Sequence, residues 1–178
     1  MRVIHLLCEY IENPLGLDMP IPRLSWRLES GEQGTKQSAY QIIASVPLAI
    51  GKSAGDEQTL WESGKVGSNQ SVNIAYAGPT LKSGQRVSWK VRVWDQHDQV
   101  SEWSKPAWWE MGLLDQNEWQ AKWIGSFLVG GPRASIPVPY LRKSFALDLP
   151  VASARPVSYT HLRAHETKAN LVCRLLLE

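Results

Sequence analysis

Cysteine is nearly absent: Cys8 and Cys173 are the only two in 178 residues. So few thiols give no disulfide framework of the kind that staples small secreted domains, and the cytoplasm is the default compartment. Long apolar runs are missing as well. No stretch approaches the roughly 18 residues of a membrane-spanning helix. The run from Val3 to Leu7 is interrupted by His5. It falls short of the roughly 7–15 apolar residues that an export signal carries, so a first strand is expected there. Charge of one sign is not concentrated anywhere, and 19 basic against 17 acidic residues leave a net charge of +2. That balance leaves no footprint for nucleic acid or an anionic membrane, and neither is expected as a partner.

What the chain does contain is an ordinary globular mixture, 43% hydrophobic and 20% charged, with nine tryptophans as the outlier. The length suits one domain, or one domain and part of a second. Up to Leu113 the residues alternate as strands do. In PRLSWRL, Leu24, Trp26 and Leu28 take one face, and Arg23, Ser25 and Arg27 the other. SAYQIIAS gives Tyr40, Ile42 and Ala44 an inward set, TLWESGKV is shorter, and QSVNIAY ends at the turn AGP. RVSWKVRVWD alternates most cleanly, with Val87, Trp89, Val91 and Val93 against Ser88, Lys90, Arg92 and Trp94. QHDQ turns the chain back into VSEWSKP and AWWEMGLL, both expected as strands. Only PLAIGKSAG leaves room for a helical turn. The fold class is therefore all-β, an antiparallel β-sandwich.

Three details resemble the fibronectin type III module: Trp26 on an early strand, Tyr40 on the next, and LKSGQRVSW leading into a corner strand. Gly84 suits a left-handed turn position there, and Leu81 suits the end of the core. Residues 1–113 are accordingly a fibronectin type III-like sandwich, and 114–139, with Trp119 and Trp123, a connector. In 140–156, Leu141, Lys143, Phe145 and Leu147 recur at period two, which opens a second β-sandwich that is cut short.

The segments CEYIENPLGLDMPIPRLSWRLES, QSAYQIIAS, LWESGKV, SGQRVSWKVRVWDQ and SEWSKPAWWEMGLL together resemble the N-terminal portion of bacterial α-L-rhamnosidases. The W-x-A-K-W-I-G segment followed by PYLRKSF is similar to that family too, and the likeness extends over about residues 3–155. It implies a parent enzyme that removes terminal L-rhamnose from glycosides with inversion, through carboxylates on an (α/α)₆ barrel. Inversion needs a general acid and a general base roughly 6.5–9.5 Å apart. The barrel has no counterpart in this chain, so no catalytic residue of the family maps onto any position. The partners implied are the downstream domains of the same protein, with carbohydrate as a further candidate. The competing reading is a stand-alone fibronectin-type module for carbohydrate binding or adhesion.

The residues agree with a noncatalytic role. Glu29, Glu32, Asp56, Glu57, Glu62, Asp95, Asp98 and Glu110 fall in turns or at polar strand positions, where solvated charge keeps edges soluble. Asp95 and Asp98 in WDQHDQ suit a cation loop, but turn chemistry accounts for them without one. Nine tryptophans raise the idea of a platform for sugar rings. Core packing is the simpler reading of Trp26 and Trp89, while Trp94 and Trp103 belong on an outward face beside Lys90 and Arg92, spaced for cation–π stacking. Trp108 and Trp109, like Trp119 and Trp123, are expected to bury against domains outside this chain.

Residues 157–178, VSYTHLRAHETKANLVCRLLLE, break the pattern. VSYTHLRAHET is an in-frame translation of a transposase-type sequencing adapter, and LVCRLLLE translates its far end after a gap the length of an index. The tail is therefore read as adapter DNA, and the natural protein as longer than this chain. His161 and His165, four apart, would share a helix face suited to Zn²⁺, but on this reading they and Cys173 are accidental. No metal or cofactor is expected. Leu162, Ala169, Val172, Leu175 and Leu176 recur near a period of 3.6, which predicts a helix without function.

Overall fold

Alternation decides the longest strands. A valine buried rather than exposed contributes about 1.5–3 kcal/mol, so Val87, Val91 and Val93, all fully buried, fix which face of their strand turns inward. A computed structural model describes residues 1–47 and 57–118, Ser144, Ala146, and the backbone of 151–163 and 166–177. The first unit, Met1–Trp119, contains β1 (Arg2–Cys8), β2 (Arg23–Glu29), β3 (Gln37–Pro47) and β4 (Glu57–Glu62). These are followed by β5 (Val66–Gly67), β6 (Ile74–Ala75), β7 (Arg86–Asp95) and β8 (Ala107–Glu110). A single 3₁₀ turn spans Gln116–Glu118.

These strands build two antiparallel sheets, one in the order β1-β2-β6 and one in the order β4-β3-β7-β8, with β5 also paired to β3. Their inner faces share one core. Leu24 and Trp26 come from β2, Tyr40, Ile42 and Ala44 from β3, and Val87, Trp89, Val91 and Val93 from β7. Trp26 meets Tyr40 edge to face at 5.3 Å between ring centroids. The Trp26 indole donates to Gln37 Oε1 at 3.1 Å, and Gln37 Nε2 donates to the carbonyls of Ser68 and Gln70. Leu81 is buried, and Gly84 takes φ = 71° at the turn into β7, as its position requires.

Other elements differ from the expectation. Ser25, expected outward, is buried because residues 71–73 pass over it: the Asn73 N–H donates to Ser25 Oγ at 3.1 Å. Leu28 is only half-buried, and QSVNIAY contributes just two residues of strand. VSEWSKP is no regular strand, although it runs along β7. The N–H groups of Ser101 and Ser104 donate to the Val93 and Val91 carbonyls at 2.8 and 2.9 Å. Their hydroxyls, in place of backbone carbonyls, accept from the Val93 and Val91 N–H groups at 3.1 Å each. The segment follows the ladder with side-chain oxygens.

In the second unit, Gln120–Glu178, β9 (Val151–Arg163) pairs antiparallel with β10 (Glu166–Leu177), with Val157 opposite Val172 and Thr160 opposite Ala169. This corrects the predicted helix over the tail. Two runs of similar length satisfy each other's backbone groups, and Val157, Tyr159, Thr160 and Val172 favour extended backbone. A lone helix has no such compensation. The expected strand around Leu141, Lys143, Phe145 and Leu147 lies outside the described residues, as do Trp119, Trp123 and most of PLAIGKSAG.

Candidate functional site

The outward face of β7 gathers the aromatic and cationic side chains that the sequence singles out. Because β7 alternates, Arg86, Lys90, Arg92 and Trp94 share the side opposite the core. The Arg92 guanidinium lies 4.6 Å from the Trp103 ring centroid and 5.2 Å from that of Trp94. Lys90 approaches Trp103 at 5.2 Å and Lys65 approaches Trp94 at 4.7 Å. The expected stacking is present. Each such contact contributes about 0.5–1 kcal/mol when exposed. Arg92 Nε also donates to Gln41 Oε1 at 2.8 Å, Gln41 Nε2 donates to Glu62, and Lys65 pairs with Asp98.

Arg86 continues the row, 4.2 Å from the Trp108 ring centroid, and its Nε donates to Glu110 Oε2 at 3.0 Å. Glu110 is not the solvated charge expected from its sequence: its side chain is only 2% exposed. The backbone of the loop after β1 runs beside β8. The Glu110 N–H donates to the Pro14 carbonyl, the Leu17 N–H to the Glu110 carbonyl, and the Gly112 N–H to the Leu17 carbonyl. Trp109 departs from its expectation too. It is fully buried in this domain's own core, edge to face with Tyr76 at 5.6 Å.

The other acidic candidates serve turns and surface pairs. Asp95 Oδ1 accepts from the His97 and Gln99 N–H groups at 2.8 and 2.9 Å, and those backbone bonds, that of Gln99 first, hold its carboxyl below the usual range. Glu29 pairs with Arg2, Glu32 and Glu57 are exposed, and Asp56 lies outside the described residues. Among the described residues, no group of three or more His, Cys, Asp or Glu could hold a metal ion. His161 lies in β9, so its half of the supposed histidine pair is on a strand and not on a helix, and His165 is outside the described residues.

The feature missed in the sequence is the segment from Cys8 to Arg23. A two-residue turn closes through reciprocal Cys8–Ile11 backbone bonds at 3.0 and 3.1 Å, with Glu9 and Tyr10 at φ = 49° and 65°. Such a turn ordinarily uses Asn and Gly. Here Glu9 is gripped by Arg23, whose backbone N–H and Nη2 donate at 2.6 and 2.7 Å, while the guanidinium lies 5.2 Å from the Tyr10 ring centroid. Hydrogen bonds from Arg23 hold the Glu9 carboxyl below its usual range. Burial, with Glu9 adding to it, pushes the free Cys8 thiol up to about 12. Beside this turn, a groove of about 560 Å³ runs between β1 and residues 102–107, lined in part by His5, Glu12, Trp103 and Lys105. His5 Nδ1 and Glu12 Oε1, both on its lining, are 3.2 Å apart. The sequence signal for this segment was NPLGLDMPIP, a Pro- and Gly-rich stretch that reads only as a loop.

Two sheets with these cross-connections find their counterpart in one protein family. Residues 3–115 match the model described as the Rha78A-like, N-terminal immunoglobulin domain. The chain belongs to that family. An α-L-rhamnosidase of Streptomyces avermitilis is 50% identical over 127 residues, 71% of this chain and 12% of that protein. One from Formosa agariphila is 42% identical over 156 residues, 84% of this chain and 16% of that protein. Among solved structures, the α-L-rhamnosidase from Dictyoglumus thermophilum superposes with a TM-score of 0.70 at 36% identity, over 88% of this chain and 19% of that one. The S. avermitilis enzyme complexed with L-rhamnose gives 0.62 at 49% identity, over 70% and 12%. The chain thus spans 12–16% of the length of these two curated rhamnosidases.

Proposed function

We propose that this chain is the noncatalytic N-terminal part of an α-L-rhamnosidase, with hydrolysis carried out by polypeptide that follows it in the parent. The family match over residues 3–115, in a chain that covers so small a share of its rhamnosidase relatives, carries the reading. The chemistry supports it. Hydrolysis with inversion needs one carboxyl kept protonated as acid and a second poised as base across a water-sized gap. Here Glu9 and Glu110 are held by Arg23 and Arg86, and Asp95 is held by backbone N–H groups. The Trp–cation row, closed on itself, favours a structural role for Trp94 and Trp103 over sugar stacking. The buried free thiol of Cys8 suits a reducing compartment such as the cytoplasm. Residues 157–178 lie beyond the family match, and we read them as adapter-derived.

Grafting tests the assignment. Residues 3–115 of this chain, put in place of the matching segment of the S. avermitilis enzyme, should yield a folded protein that hydrolyses an aryl α-L-rhamnoside at close to the parental rate. A folded but inactive graft would contradict an accessory role.

A further inference from the structure

We propose that the loop from Tyr10 to Ile21 is the surface by which this domain docks against the rest of its parent rhamnosidase. The proposal rests on the accessory-domain reading and names the face that such a domain uses. Seven large hydrophobic side chains are exposed on the described residues, and five of them, Tyr10, Ile11, Leu15, Met19 and Ile21, fall within this one loop. Leu15 and Ile21 are 60% and 59% exposed. Scattered apolar residues on a surface need no explanation, but a concentration of this kind marks an interaction site.

The second observation is that the loop backbone is fixed, with Pro14 and Leu17 turned toward the domain, while these five apolar side chains stay exposed. Its start is tied by the Cys8–Ile11 turn and the Glu9–Arg23 pair. Its middle is tied to β8 by the Pro14 and Leu17 bonds, and by Asn13 Oδ1 accepting from the Trp108 N–H at 2.9 Å. Gly16 and Gly112 approach so closely that a Cβ on Gly112 would stand 3.0 Å from the Gly16 carbonyl oxygen. Three non-glycine residues, Glu9, Tyr10 and Asn13, take positive φ to make the path. A loop serving only as a connector has no need of that strain or of outward apolar groups. A loop pre-shaped for an apolar partner needs both, because rigidity in the bound shape lowers the entropic cost of association.

The occupant is the remainder of the same polypeptide. The matched rhamnosidases are several times longer than this chain, and a covalently linked partner is present at an effective concentration that a second copy rarely reaches.

The test uses the graft and the 178-residue chain in parallel. Ile11→Ser, Leu15→Ser, Met19→Ser and Ile21→Ser are combined, with Val72→Ser plus Val100→Ser, the remaining exposed pair, as the control. In the graft, the loop variant should release the N-terminal domain to trypsin about tenfold faster, because cleavage follows the undocked population. The control should not change that rate. In the chain alone, the loop variant should melt at the same temperature as the unaltered chain. An intact graft whose loop variant resists trypsin like the original overturns the docking surface alone. An equal loss of stability in the chain alone overturns it too, because the side chains would then serve the domain's own fold. A chain that dimerises through this loop assigns it to a second copy and equally overturns the proposal. An inactive or unfolded unaltered graft overturns the accessory-domain reading, and the docking surface with it.

Discussion

Glu9 holds its strained turn against Arg23 through a charged pair. Its carboxyl is depressed in the folded protein by hydrogen bonds from Arg23. A depressed carboxyl contributes stability that is fully present above the unfolded value of about 4.3. That contribution is lost as pH falls through the folded value. Glu9→Gln should therefore lower the melting temperature near neutral pH and flatten its decline in acid. Asp95, depressed by its own backbone bonds, should keep part of that decline in place. Melting followed by circular dichroism from about pH 7 to pH 2 checks this. An acid limb as steep in Glu9→Gln as in the unaltered protein would assign the acid sensitivity elsewhere.

Among the elements, the edge of β7 shows what local pattern can and cannot convey. Val87, Trp89, Val91 and Val93 announce their strand because one short stretch carries the whole signal, and all four are buried. Trp26 and Tyr40 were legible in the same way. Ser101 and Ser104 were not: a hydroxyl that stands in for a carbonyl depends on where β7 lies, and no neighbour in sequence tells of it. Glu110 reads as a solvated charge because its surroundings, Arg86 on β7 and the Pro14 and Leu17 backbone, are remote from it in sequence. The turn at Glu9 and Tyr10 was hidden because neither residue type favours positive φ. The tail misled by period, since Leu162, Val172 and Leu176 fit a helical spacing as well as the two strands that form. Ser104 gives the test at this scale. Ser104→Ala leaves the buried Val91 N–H without its acceptor, which should cost about 1–3 kcal/mol. Denaturant unfolding measures that, and a cost near zero would mean that the hydroxyl is not a working member of the ladder.

At the scale of the whole molecule, a two-sheet domain of the Rha78A-like N-terminal family spans 12–16% of the length of two rhamnosidase relatives. A positioned general acid alone typically contributes 10²–10⁴-fold to a glycosidase. Glu9 and Glu110 are engaged with arginines, Asp98 with Lys65, Glu62 with Gln41, and Asp95 with backbone N–H groups. The most direct measurement is release of the aryl group from an aryl α-L-rhamnoside by the purified 178-residue chain, with the S. avermitilis enzyme run beside it. Release by the full-length enzyme, and none above the spontaneous rate by the chain, is the expected result. Turnover by the chain, scaling with its concentration and surviving repurification, would contradict it.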